Sequence, residues 1–331
     1  MKPTAIDMHS HYYGGLVDSL IRRQGRPNVS RNAQGRLVLN AMTASTEMSD
    51  GYTDIAARLS YMDQHRIATQ LLTFPGALGI DVMPVAEVRA AIHTYNNHLS
   101  EICRQSGGRF VGLAGLPLGD LDLAVKELGR ALHELGLAGA ILPGNYFLSL
   151  DNLRLLVPLF EAAHSAGALL MVHPGLMPGE APPAPFADTS VYRASVFQLQ
   201  ASLSQMAMSV LAAELCETYP KITFQLVNLG GTLPFVLERL EAVALSRPPH
   251  RPFPRTSLRG MVYDCASLGP RALELAVSVY GADRIMMGTD YPIFAPDQVH
   301  DTIESAQISD DSKALVLHGT AQRVLDNLIG R

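Results

Sequence analysis

The chain of 331 residues carries 26 Lys and Arg against 31 Asp and Glu, a net charge of −5 with a pI near 6.1, which gives no electrostatic reason to expect nucleic acid or an anionic membrane as partner. Hydrophobic residues make up 47 % and charged residues 17 %, enough apolar side chain for a large core and far from a disordered composition. The cysteines, Cys103, Cys216 and Cys265, are odd in number and far apart, so they read as reduced thiols; with no signal-like apolar start and no apolar run near ~18 residues, a cytoplasmic protein is expected.

The first element is Ala5-Ile-Asp-Met-His-Ser-His11, a strand that runs into Gly14-Gly15. Side chains at i and i+2 of a strand share a side, so His9 and His11 can converge on one cation, each nitrogen about 2.0–2.1 Å from it. Residues 12–60 are a long excursion in which Gly35-Arg-Leu-Val-Leu-Asn40 reads as part of a small hairpin. Helical periodicity (Ile55, Leu59, Met62) then leads to a second strand, 68–74, stopped by Pro75-Gly76.

The same unit repeats: a helix, a glycine suited to the left-handed cap, a buried strand and a Pro or Gly stop. A helix with apolar residues at Val88, Ile92, Tyr95 and Leu99 precedes a third strand at 110–116. Helices over 121–135 and 153–166 precede strands at 138–142 and 168–173. After a Pro- and Ala-rich loop (174–195) and a long helix come strand six at 222–228, a helix from about Leu233 to Leu245, and a basic connector at 247–255. Strand seven is 260–265, strand eight 284–290, and a helix over 311–328 closes the chain. Alternation of this kind over 1–331 predicts an α/β fold: one TIM (β/α)8 barrel domain with a small insertion (12–60) after strand 1. A doubly wound sheet would gather its polar residues at one switch point, whereas here they close several strands.

Those strand ends carry His9 and His11, His173 (strand 5), Asn228 (strand 6), Asp264 (strand 7) and Asp290 (strand 8). Three imidazoles and one carboxylate suit Zn²⁺ with an exchangeable water, and would also take Mn²⁺ or Fe²⁺. Asp264 reads as a supporting group. His65, His93, His98, His133, His164, His250, His300 and His318 lie in helices or loops and read as packing or surface residues.

Six stretches together bear a resemblance: Ile6-Asp-Met-His-Ser-His11, Tyr61-Met-Asp-Gln-His65, Arg109-Phe-Val-Gly-Leu113, Val172-His-Pro174, Leu229-Gly-Gly-Thr-Leu-Pro-Phe235 and Met287-Gly-Thr-Asp-Tyr-Pro292. The chain resembles the amidohydrolase superfamily, and within it the 2-amino-3-carboxymuconate 6-semialdehyde decarboxylase group, which includes aromatic-acid decarboxylases, hydratases and carbon–carbon hydrolases. The resemblance implies that His9, His11, His173 and Asp290 are metal ligands. It implies one metal, because the strand that carries a bridging lysine in binuclear relatives ends Leu142-Pro-Gly-Asn145 here. It also implies a homodimer in which Arg239 reaches a neighbouring site and holds a substrate carboxylate; on sequence alone Arg239 equally reads as a surface arginine beside Glu238. Where the family places a general-base histidine on strand 6, this chain has Asn228, whose amide has no useful proton affinity near neutral pH. The expected activity is decarboxylation of a small carboxylated aromatic or muconate-like substrate, with Asp290 moving the proton and Asn228 orienting substrate or water. Hydrolysis or hydration, or a catalytically silent partner subunit, are the alternatives.

Overall fold

The computed structural model describes residues 5–42, 44–182, 192–250, 255–294 and 297–329. Strands Ala5–His11, Ile67–Thr73, Phe110–Ala114, Gly139–Pro143, Leu169–His173, Thr223–Leu226, Met261–Asp264 and Ile285–Met286 form one sheet in chain order. Each neighbouring pair is parallel. The sheet closes on itself: Met8 N donates to Met287 O (2.9 Å), Asp290 N to His9 O (2.8 Å) and His11 N to Tyr291 O (2.8 Å). This is the expected TIM barrel, with helices around a sheet whose strands are almost wholly buried.

The excursion after the first strand folds as a three-stranded antiparallel sheet, Asn28–Arg31, Leu37–Asn40 and Ser45–Glu47, so the anticipated hairpin acquires a third strand. The single helix expected over 153–166 is two, Leu150–Arg154 and Val157–Ala166. Pro158 lacks an amide hydrogen and suits the first turn of a new helix better than the middle of an old one. Strand six stops at Leu226 because Asn228 and Leu229 turn left-handed, with φ of 50° and 56°. Strand eight is regular only over Ile285–Met286, yet its continuation stays bonded to the first strand.

Two glycines set the closeness of neighbouring strands. A Cβ on Gly139 would lie 1.8 Å from the carbonyl oxygen of Leu169. One on Gly288 would fall 2.8 Å from Cβ of His9 and 2.9 Å from Cβ of Asp264. Glycine at 288 therefore lets strands one, seven and eight meet where their functional side chains begin.

Under this junction lies a buried cation. Helix Ile55–Gln64, capped by the Asp54 carboxylate, buries Met62 as its periodicity requires, but it also buries Arg58 completely. Arg58 Nη1 donates to Gln70 Oε1 (2.8 Å) and Ser10 Oγ (3.2 Å), and Nη2 donates to Gly51 O (2.7 Å) and to His11 O. Its guanidinium also lies 4.8 Å from the centre of the Tyr291 ring. Burial draws the Arg58 pKa down to about 10, still high enough to keep it charged at neutral pH. One side chain thus ties the insertion to strands one and two and to the loop after strand eight. Arg58→Ala leaves these buried acceptors without donors and should destabilise the fold by about 3–5 kcal/mol, read from urea unfolding at constant m-value.

Candidate metal centre

The end of the first strand points His9 and His11 into the barrel, where the ring of His173 from strand five meets them. Ring centroids are 5.2 Å apart for His9 and His11, 5.3 Å for His9 and His173, and 4.8 Å for His11 and His173. One nitrogen from each ring lies within 4.8 Å of the others, and among the described residues this is the only such group of three. Asp290, whose left-handed φ of 55° turns the chain after strand eight, brings its Oδ1 to 3.2 Å from His11 Nε2 and 3.6 Å from His9 Nε2. Donors at 2.0–2.1 Å from a tetrahedral cation stand about 3.3 Å apart. The spacing fits.

The outward nitrogens fix which inward ones are free. His9 Nδ1 donates to Asp264 Oδ1 at 3.1 Å, and His173 Nδ1 donates to the carbonyl of Pro174 at 3.0 Å. Thr73 Oγ1 donates to Ser10 O, so it accepts from His11 Nδ1 at 2.8 Å. Each ring is therefore a Nδ1–H tautomer with Nε2 available, the arrangement that orients metal-binding imidazoles. His9 Nε2 and Asp290 Oδ1 are buried without a hydrogen-bond partner. Buried polar atoms are rarely left so, and two that face one point fit a cation between them.

Without a cation, protons take its place at this cluster. Burial opposes a charge on His9, but the carboxylates of Asp264 and Asp290 outweigh it and push its pKa to about 9. His173 moves the other way, well below the usual imidazole value, because it is buried and faces two other imidazoles. Burial raises the Asp290 carboxyl, yet the histidines around it bring the net shift below the usual range.

Asn228 sits at the same mouth and is buried. Its backbone N–H donates to Asp264 Oδ1 (3.1 Å) and its side-chain Nδ2 to Ser267 Oγ (2.7 Å). The left-handed backbone there is one that Asn and His tolerate better than most residues. Asp264 also accepts from Gln225 Nε2 (3.0 Å), so the supporting role read for it is the one it occupies. Arg239 is exposed on helix Leu233–Ser246 and stands apart from this cluster of the same chain.

Several supporting groups escape sequence reading. Asp7, fully buried, accepts from the amides of His9 (3.1 Å) and Thr289 (2.9 Å), from Thr289 Oγ1 (2.6 Å) and from Gln70 Nε2 (2.8 Å). Its signal was its place two residues before His9, on the same side of the strand. Arg58 lies on the apolar stripe of its helix, which marks a charge that must find buried partners. Thr73 and Gln225 have no such signal.

The amidohydrolase family model matches residues 6–326. The chain is 25 % identical over 290 residues to a 2-amino-3-carboxymuconate-6-semialdehyde decarboxylase of Dictyostelium discoideum, covering 84 % of this chain and 78 % of that one. It is equally 25 % identical over 290 residues to a gamma-resorcylate decarboxylase of Polaromonas sp. (strain JS666), covering 81 % and 86 %. Among solved structures, apo IDCase of Metarhizium anisopliae shares the fold with a TM-score of 0.81 at 21 % identity, over 98 % of this chain and 97 % of that one. A dihydroxybenzoic acid decarboxylase from Polaromonas sp. JS666, with bound manganese and 2-nitroresorcinol, has a TM-score of 0.73 at 21 % identity, over 100 % and 98 %. A family match that runs from the first strand into the last helix, on a barrel whose strand ends gather His9, His11 and His173, makes this chain a member of the amidohydrolase family.

Proposed function

We propose that the protein is a metal-dependent decarboxylase of a small aromatic or muconate-like carboxylate. The observation that carries this reading is the pair of unpartnered buried atoms, His9 Nε2 and Asp290 Oδ1, facing one another beside His11 and His173. In this reading His9, His11, His173 and Asp290 hold a single divalent cation. Zn²⁺ suits the nitrogen-rich set best, and Mn²⁺ and Fe²⁺ are the competitors, manganese being the ion bound in one structure of the same fold. When bound, the cation supplies Lewis acidity that polarises a substrate oxygen or lowers the pKa of water toward about 7.

The rest falls to the protein. Decarboxylation requires a proton to reach the carbon that bears the carboxylate. The carbon–carbon bond then breaks, CO₂ leaves and the electron pair returns to the ring or diene. Asp290 is the group that carries this proton, accepting it from a substrate hydroxyl or water and delivering it to carbon. Asn228 cannot act as a base; held by Ser267 and the Asp264 carboxylate, it orients substrate or water. A second reading is hydrolysis or hydration at the same centre, which needs the same activated water; Asn228 itself supports only a catalytically silent partner subunit.

Arg239 serves the substrate carboxylate of a second copy in a homodimer. Support comes from its helix: Phe235, 78 % exposed, lies four residues earlier on the same face, the kind of large apolar side chain that an interface covers. None of the described helices is long and apolar enough to cross a membrane, and a cytoplasmic enzyme with reduced thiols accords with the unpaired cysteines.

CO₂ release from a panel of hydroxybenzoates and muconate-like acids by Zn²⁺- or Mn²⁺-reconstituted protein tests the reaction; full metal occupancy with no release from any of them would sink it. His11→Ala should lose most bound metal by elemental analysis. Asn228→His should keep its metal and raise the decarboxylation rate by about 10²-fold, the low end of what general-base catalysis contributes.

A further inference from the structure

The ends of strands six, seven and eight share a backbone conformation. Among the described residues six that are not glycine take a left-handed φ, and four of them lie here: Asn228 and Leu229 (50° and 56°) after strand six, Ser267 (55°) after strand seven and Asp290 (55°) after strand eight. Asp290 is a candidate ligand and Asn228 borders the centre, whereas Ser267 has no part in it. The Ser267 loop does contain a glycine, Gly269, but at an ordinary φ of −87°. A serine held where glycine fits without cost points to a side chain that acts, since backbone outliers of this kind gather at binding and catalytic sites.

The Ser267 hydroxyl meets the Asn228 amide, Asn228 Nδ2 donating to Ser267 Oγ at 2.7 Å. One carboxylate oxygen ties both residues to the metal centre: Asp264 Oδ1 accepts from His9 Nδ1 (3.1 Å), from the backbone N–H of Asn228 (3.1 Å) and from that of Ala266 (3.3 Å), the residue before Ser267. On the other side of Ser267 the loop is pinned by Thr302 Oγ1, which donates to Leu268 O (3.0 Å). The backbone N–H of Asn228 therefore stands two hydrogen bonds from the ring of a candidate ligand. Among the described residues no group accepts from Ser267 Oγ and none donates to Asn228 Oδ1. The pair is not sealed off, for Ser267 is half-buried and Asn228 is 6 % exposed.

We propose that Ser267 is a specificity-determining residue, which together with Asn228 binds a hydroxyl group of the substrate: Ser267 Oγ donates to the hydroxyl oxygen, and Asn228 Oδ1 accepts the hydrogen bond that the hydroxyl gives. The inference rests on the carboxylate-substrate reading of the site and names a second group that the substrate carries. A hydroxyl and a primary amide bonded to one another keep at least one donor and one acceptor free, whichever of the two donates, so the pair matches a group that is both. Asn228 Oδ1 shares a carbon with Nδ2, so a single substrate oxygen can reach it and Ser267 Oγ together. A methyl ether or a second carboxylate would use the donor alone and leave the amide oxygen unpaired. A substrate without the hydroxyl leaves both groups unpaired, which turns the contact into discrimination. No proton transfer is asked of Asn228 in this arrangement, in keeping with its chemistry.

Calorimetric binding of benzoate, of 2-, 3- and 4-hydroxybenzoate and of the matching methoxybenzoates to the Mn²⁺-loaded protein tests the proposal. Wild type should bind one hydroxybenzoate about 5- to 10-fold more tightly than benzoate and than its own methyl ether, the value of a neutral hydrogen bond. Ser267→Gly removes the hydroxyl and suits the left-handed backbone, so it should bring both ratios close to 1 while metal content and benzoate affinity are retained. Ser267→Asn, whose short polar side chain also tolerates that backbone, should keep part of the preference.

The comparison of ligands separates contact from support. If Ser267 only holds Asn228 in place, Ser267→Gly weakens benzoate and the hydroxybenzoates alike, and an equal loss overturns the proposal. A preference for the hydroxybenzoate that survives in Ser267→Gly overturns it too, as does the absence of any preference in wild type that binds the acids. Each of these results leaves the carboxylate reading standing. Failure of wild type to bind any of the acids overturns that reading, and the role of Ser267 with it.

Discussion

Three backbone hydrogen bonds between the first strand and the continuation of the eighth hold the rest in place. Met8 N to Met287 O, Asp290 N to His9 O and His11 N to Tyr291 O close the barrel, and they do so at the residues that carry the candidate ligands. Fold closure and site assembly are therefore one event. A ligand set contributed by two ends of the chain, 281 residues apart between His9 and Asp290, has no local means of forming, and closure brings it together. Gly288 is part of the same constraint, since any side chain there would push His9 and Asp264 apart.

Beneath the imidazoles the core is polar rather than oily. Asp7, Gln70, Arg58, Thr289, Gln225 and Asp264 are buried, and hydrogen bonds join strands one, two, six and seven with the loop after strand eight. Such networks are costly when half satisfied and rigid when complete. Here they place opposite charges at separate points: Arg58 on the insertion side, bonded to neutral acceptors, and Asp264 behind His9. The consequence is that the outward nitrogens of His9 and His11 are held by Asp264 and Thr73, so both rings turn Nε2 toward the candidate cation position.

Chemistry within the family is then decided at the rim. Asn228 occupies a left-handed corner that suits either Asn or His, so the backbone is indifferent to a substitution that changes proton affinity completely. Residues on loops above a rigid barrel can vary in this way without cost to the fold, so a change at the mouth, where Asn228 lies, leaves the barrel as it is.

Strand order, barrel architecture and the positions of His9, His11, His173 and Asp290 at strand ends could be read from the sequence because each rests on local signals: two-residue alternation, helical periodicity, and Gly or Pro at the stops. Resemblance to known motifs added the family. The sequence could not show which nitrogen of each ring is free, because that depends on Thr73, Asp264 and the Pro174 carbonyl, most of them far away along the chain. It could not show that Arg58 is wholly buried, since its partners come from three other segments, nor that strand eight is regular for only two residues. Asp81 carries no local sign of its burial. Its isolation from hydrogen-bond partners exists only once the loops after strands two, four and five pack against one another, because burial and pairing are properties of the assembled molecule and have no counterpart in local pattern.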